Sequence, residues 1–293
     1  MGGKLFGGTF LGDRSWVDEV VPRTPTSVVE ALSALEAVTA RLLEEGDRRA
    51  AFPDIYAIIT RRVAETVALG PRGMFIEPRW ISRLAGRFCE RYLTTLRWSL
   101  RGEPQDAGAW SIAYGCCELD DMLPVHHVLL GLSAHINYDL ALGVAANITE
   151  LGGADDPIRL ARYKHDHDAV NHLLRASVPE AFDHLIERHQ CPGARALYRH
   201  AFATTEWIAM SLLETWRERV WGDAMALLRA RGAGERRRVV DRIEQRSRRH
   251  GRLLALPGIL PFPGDDVAAN GRAQKPARTR TAARAEQLFH ALS

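Results

Sequence analysis

The most apolar stretch of the sequence, residues 124–140, also carries three histidines, an asparagine and an aspartate. His135 and Asp139 are four residues apart, so a helix would place both side chains on one face. There they could hold a metal ion or form an oriented imidazole–carboxylate pair. His127 lies two turns earlier and could reach the same pocket only from its edge. Because buried polar groups need partners, neighbouring helices must supply them.

A second polar cluster, residues 164–172, follows a glycine-rich turn. If the two helices packed antiparallel, the clusters would meet. His165, Asp168 and His172 would share one helical face and Asp166 would lie on another, so both faces cannot line one pocket. An arginine on a later helix would neutralise the pocket if no metal does. The predicted site residues are therefore His135, Asp139, Asp166, Asn171 and Arg217.

The predicted site residues are compatible with three functions. In the first, one divalent ion is held by His135, Asp139 and Asp166, with His127 or His165 completing the shell, and serves a hydrolase or lyase. The sequence contains neither a His-Glu-x-x-His motif nor cysteine spacings typical of zinc sites. In the second, a metal-free cyclase or acid–base catalyst uses an Asp-oriented histidine on a small apolar substrate. The aromatic residues that could line its cavity include Trp98, Trp110, Trp207, Trp216 and Trp221.

The third function is not enzymatic: a helical ligand-binding or scaffold protein whose buried polar residues fix the helix register. We favour an enzyme. No phosphate-binding loop, dinucleotide fingerprint or Gly-x-Ser-x-Gly elbow is present, so we expect no nucleotide cofactor.

Composition places the chain among cytoplasmic globular proteins. It has 293 residues, of which 46% are hydrophobic and 26% charged. No apolar run approaches the roughly 20 residues of a membrane helix, and no signal peptide is evident, so we expect no membrane partner. From Arg229 onward there are 15 Lys and Arg against 6 Asp and Glu. Acidic residues interrupt this basic region, which disfavours nucleic-acid binding. A homo-oligomer is compatible with the sequence.

Apolar periodicity predicts an all-α protein. The expected helices span about 28–46, 52–69, 78–100, 109–121, 124–143, 158–175, 179–189, 193–230 and 233–254. We expect a single multi-helix bundle over residues 28–256, between a flexible N-terminal arm, 1–27, and a disordered Pro/Gly/Arg-rich tail, 257–293. Near the end of the tail, the sequence of residues 282–292 predicts a weak helix.

The segment Ala134-His135-Ile136-Asn137-Tyr138-Asp139-Leu140, preceded by Gly131, resembles the marker of a mostly bacterial family of helical domains without a known function. The resemblance covers about residues 28–230. It implies a helical bundle and supplies no reaction, and it carries over Asp166 and Asn171 as family positions. Its other matching residues are Phe52, Tyr56, Phe75, Trp80, Phe88, Tyr92, Val170, Arg217 and Trp221.

Overall fold

A computed structural model of the chain describes residues 16–20, 24–103, 108–119 and 122–256, with no description of the side chains of 192–206 and 208. The described residues contain no β-strand, which confirms the all-α prediction. Residues 1–15 and the tail from 257, including the predicted helix at 282–292, lie outside the described residues. The helices are α1 (Trp16–Val20), α2 (Val28–Glu44), α3 (Ala51–Ala68), α4 (Pro78–Arg101), α5 (Gly108–Cys117), α6 (Pro124–Ala134), α7 (Ala141–Leu151), α8 (Pro157–Glu187), α9 (Pro192–Arg229) and α10 (Ala233–Leu254).

The predicted N-terminal arm is partly structured. Helix α1 lies inside it, and Trp16 and Val17 are buried against the core that α2 and α4 form. Helix α2 then begins where the sequence predicts, because the Ser27 side chain accepts a hydrogen bond from the backbone N–H of Glu30. The arm therefore contributes two apolar anchors to the bundle.

Helices α6 and α7 form one continuous central helix, joined by a π-helical turn at His135–Leu140. We expected this helix to end near Gly143, but it continues to Leu151, where Gly152 adopts a positive φ of 77°. By length and composition Pro124–Leu151 could cross a membrane, although a core helix passes the same test and most of this one is buried. Its neighbours are α3, α4, α5, α9 and α10. The central helix is thus enclosed on most sides.

Helix α8 differs from the prediction in two ways. Pro179 was expected to separate two helices, but α8 runs through it. Buried leucines lie on both sides of the proline, Leu173 and Leu174 before it and Leu185 after it, and their burial offsets the roughly 3 kcal/mol cost of an internal proline. The helix also packs mainly on α3 and α9 rather than on the central helix. The expected direct antiparallel packing of the two polar helices is therefore wrong.

Candidate functional site

His135 and Asp139 form the predicted pair inside the π-helical turn. The Nδ1 atom of His135 lies 3.1 Å from Oδ2 of Asp139, and both side chains are almost fully buried. A π-helical turn inserts an extra residue into the helix, and such turns are frequent at functional sites. Since an ionised carboxylate can only accept, the pairing places a proton on Nδ1 of His135.

Two further donors hold the Asp139 carboxylate. Trp110 on α5 donates from Nε1 to Oδ2 at 2.8 Å, and Arg91 on α4 donates from Nε to Oδ1 at 3.2 Å. The charge that neutralises Asp139 therefore comes from Arg91, and our prediction that Arg217 would have this role is wrong. Nothing in the sequence separates Arg91 from the many other arginines of the chain.

Aromatic rings surround the imidazole of His135. Phe88 stacks on it face to face, with ring centroids 3.3 Å apart and planes 7° from parallel. The ring of Tyr56 meets it edge-on at 4.8 Å, and Phe52 does so at 5.7 Å. These contacts leave the imidazole little freedom to rotate, and they exclude water from it.

Burial sets the protonation of His135. Removal from water lowers the pKa of His135, and the hydrogen bond to Asp139 opposes this effect. The imidazole is therefore neutral at pH 7. With the proton on Nδ1, the second nitrogen, Nε2, carries a free lone pair. This Nε2 is buried and has no hydrogen-bond partner among the described residues. A buried polar atom without a partner is unusual and calls for an explanation.

His135 lines a partly open cavity of about 90 Å³, large enough for several water molecules or one small organic molecule. The cavity lies among α3, α4, the central helix, α8 and α9. Its walls are mostly apolar, and its polar lining residues include His135, His167 and Arg217. The other lining residues are Phe52, Tyr56, Ile59, Thr60, Val63, Ile81, Leu84, Ala85, Phe88, Leu132, Ile136, Leu140, Val170 and Leu174.

His167 on α8 and Arg217 on α9 are polar lining residues of the cavity. Burial, together with the charge of Arg217, lowers the pKa of His167 to about 3, so this imidazole is also neutral at pH 7. Its Nδ1 lies 3.3 Å from Oδ1 of Asp168, and its buried Nε2 has no partner within the described chain. Arg217 donates from Nε to Oδ1 of Asn171 at 2.6 Å and from Nη2 to the carbonyl oxygen of His167.

The remaining predicted residues lie elsewhere. Asp166 accepts hydrogen bonds from the backbone N–H groups of Ile76 and Glu77, at 2.7 and 2.6 Å, just before α4 begins. Its Oδ1 also lies 3.1 Å from Nδ1 of the exposed His165. Asp166 is therefore a structural cap.

His127 also lies away from the cavity. Its Nδ1 faces the Sγ atom of Cys117 at 3.5 Å, and burial lowers the pKa of His127 to about 4.

The predicted metal centre is not assembled. Across the described ranges, no group of three or more His, Cys, Asp or Glu side chains could hold a metal ion. The reason is the position of α8: since it packs on α3 and α9, Asp166 faces the start of α4 instead of Asp139. Asn171 and Arg217 do come together, but they pair with each other.

Two other cavities are larger. A groove of about 890 Å³ between α8 and α9 is lined by charged side chains, among them Arg175 and Glu214, which pair with each other at 2.9 Å. A cleft of about 370 Å³ beside α4 is lined by Arg91, Tyr138 and Asp139. We assign the site to the smaller cavity because His135 and His167, each of which has a buried nitrogen without a partner among the described residues, line it.

The fold and the cavity define a class: an all-α bundle with a mostly apolar cavity whose lining includes histidine and arginine. The chain belongs to the DUF5995 family, a family of unknown function whose model matches residues 28–257. No curated protein and no solved structure matches the chain. Family membership confirms the resemblance seen in the sequence, and the functional argument rests on the geometry of the cavity.

Proposed function

We propose that this protein is a metal-independent acid–base enzyme, in which His135 moves a proton on a small, mostly apolar molecule bound in the cavity. One observation carries the proposal: Asp139 fixes Nδ1 of His135, while the buried Nε2 has no partner and the residue lines the cavity. His127, which does not line this cavity, also has a buried Nε2 without a partner among the described residues, so the Asp139 bond together with the cavity distinguishes His135.

The chemistry requires only a proton and the substrate. Nε2 of His135 accepts a proton from the substrate, and the resulting imidazolium is stabilised by the Asp139 carboxylate beside Nδ1. The same proton then returns from Nε2 to another substrate atom or to a leaving group. The net reaction is an isomerisation, a cyclisation or an elimination, and it needs no oxidant. The apolar walls keep water from intercepting the intermediate.

Asp139 acts as a positioning residue for this step. Its bonds to Trp110 and Arg91 fix the carboxylate, which in turn fixes the tautomer and the orientation of His135. Three separate elements, α4, α5 and the π-helical turn, thereby hold one proton-transfer group. This degree of support is typical of a base that must be in place before substrate binds.

Comparative metabolite profiling tests the proposal. Purified protein is incubated with a small-molecule extract, and mass spectrometry follows which compounds disappear. We expect wild-type protein to consume at least one compound, and His135→Gln to consume it about 10²–10⁴ times more slowly. The surface variant His165→Gln is the matched control and should retain the wild-type rate.

Two further arms separate this proposal from its alternatives. A chelator such as EDTA should leave the rate unchanged, and loss of activity that added metal restores would favour the metal-assisted hydrolase or lyase. If wild-type protein consumes nothing, or if His135→Gln is as active as wild type, the acid–base proposal fails. A compound that is bound but not converted would then favour the helical ligand-binding protein.

A further inference from the structure

Arg217 carries a buried positive charge, and no carboxylate of the described residues is hydrogen-bonded to it. The residue is 6% exposed, and its hydrogen bonds within the described chain go to a neutral amide, that of Asn171, and to a backbone carbonyl. Asp168 is the acid whose charge acts on Arg217, but that carboxylate is half exposed and pairs with Lys164 at 2.6 Å. Burying a guanidinium without a paired anion is costly.

The guanidinium is nevertheless held in place. Asn171 and the His167 carbonyl occupy Nε and Nη2, which fixes the plane of the group at the wall of the cavity. Burial lowers the pKa of Arg217 to about 10, so the group stays charged at pH 7. A fixed, charged guanidinium with remaining N–H donors at a mostly apolar cavity is suited to bind the two oxygens of a planar anion.

We infer that the molecule bound in this cavity is a small apolar carboxylate, whose carboxylate group is held by Arg217 while its apolar part faces the aromatic cluster around His135. The inference rests on the proposed function for the role of the cavity as a substrate site. It adds the substrate class and assigns Arg217 as the residue that recognises it.

His167 limits the substrate to one negative charge at this end. His167 lines the cavity as a neutral imidazole whose Nδ1 faces Asp168, so it offers no positive charge to a second anion. Its Nε2 has no partner among the described residues and could accept a hydrogen bond from an O–H or N–H group of the ligand. The volume of about 90 Å³ restricts the ligand to a short chain or a single ring. The expected ligand is therefore a monocarboxylate, not a phosphate or a dicarboxylate.

Matched pairs of neutral and charged probes test the inference. Calorimetry compares phenylacetate with phenylacetamide, hexanoate with hexanamide, and cyclohexanecarboxylate with its amide, because each pair has nearly the same shape. We expect at least one carboxylate to bind about 10–100 times more tightly than its amide, as a charge-assisted hydrogen bond contributes about 1.5–3 kcal/mol. Arg217→Gln should abolish this preference.

Arg175→Gln is the matched control, since Arg175 pairs with Glu214 on the surface and should not affect the preference. If Arg217→Gln does not fold, Arg217→Lys replaces it and should keep the preference for carboxylates but bind them more weakly. Equal binding of acids and amides by wild type, no binding of any of the three acids, or a preference that survives Arg217→Gln would overturn the inference.

The acid–base function and the carboxylate ligand class can be refuted independently. His135→Gln should keep the preference for the carboxylate over its amide, because Arg217 and not His135 recognises the charge. Carboxylate preference without any substrate consumption would refute the acid–base function and leave the ligand class standing. Consumption of a neutral compound without carboxylate preference would refute the ligand class and leave the acid–base function standing.

Discussion

Trp110 donates its indole N–H to Oδ2 of Asp139 at 2.8 Å, the same oxygen that faces Nδ1 of His135. Oδ2 of Asp139 therefore connects α5, which carries Trp110, to the proposed base His135. The indole is almost fully buried, and its donor has no competing solvent. This bond links the packing of α5 to the orientation of His135.

Replacing Trp110 with phenylalanine should lower the free energy of unfolding by more than packing loss alone, because it leaves Asp139 with one donor fewer. Trp80→Phe is the matched control: Trp80 is equally buried, and its Nε1 has no partner among the described residues. We expect Trp110→Phe to cost about 1–2 kcal/mol more than the control in urea unfolding. Equal losses would show that the indole bond contributes nothing.

Gly131 allows Phe52 to approach the central helix beside His135. A Cβ atom at position 131 would lie 2.5 Å from the Phe52 ring, whereas one at Gly143 would meet Leu84 at 3.7 Å, an ordinary contact. Gly131→Ala should therefore cost about 1–3 kcal/mol. Gly143→Ala on the same helix should be neutral or stabilise by up to about 1 kcal/mol. Thermal unfolding of both variants checks this, and two equal shifts would contradict the packing argument.

Much of the fold could be predicted from sequence because apolar periodicity and capping residues act locally. Ser27 and Asp156 mark helix starts that the structure has at those positions. Pro179 misled the prediction, since a proline is a local signal while the burial of Leu174 and Leu185 around it depends on the whole bundle. Helix packing is equally non-local, and the position of α8 could not be predicted.

The candidate site was also predictable from the sequence only in part. His135 and Asp139 are four residues apart in sequence, so their pairing was predictable. Arg91 reaches Asp139 from another helix, and no spacing rule links positions so far apart. The π-helical turn had no sequence signal that we recognised. Asp166 stood out by residue type, but its backbone partners at the start of α4 depend on the tertiary fold.

Asp166→Ala should destabilise the fold without affecting ligand binding, because Asp166 satisfies two backbone N–H groups ahead of α4. We expect a loss of about 1–3 kcal/mol, larger than for Asp156→Ala, an exposed cap that should cost about 1 kcal/mol. Urea unfolding and carboxylate calorimetry measure the two properties. A variant that folds normally but loses binding would place Asp166 in the site after all.

Stability should fall as the pH drops below 6.5, because burial keeps His127 and His167 neutral. Their folded pKa values are about 4 and about 3, below the ordinary value of 6.5, so the unfolded chain takes up protons first. The free energy of unfolding is unaffected by these two histidines above pH 6.5. It decreases as the pH falls toward the folded pKa values, by about 2 kcal/mol per histidine at pH 5.

Urea unfolding at pH 7 and pH 5 checks this for wild type and for His167→Gln. The variant should lose less stability on acidification than wild type by about 2 kcal/mol, whereas His165→Gln, at an exposed position, should behave as wild type. A pH dependence that His167→Gln leaves unchanged would show that the folded chain accepts a proton at position 167.

The central claim is that His135 presents an unprotonated Nε2 to the cavity, with its proton on Nδ1 beside Asp139. Long-range ¹H–¹⁵N spectra of the histidine rings measure this directly, and His135→Gln assigns the signals. At pH 7 we predict a neutral ring protonated on Nδ1 alone, which stays neutral below pH 6.5 because burial lowers the pKa of His135. A proton on Nε2, or an imidazolium at pH 7, would contradict the account.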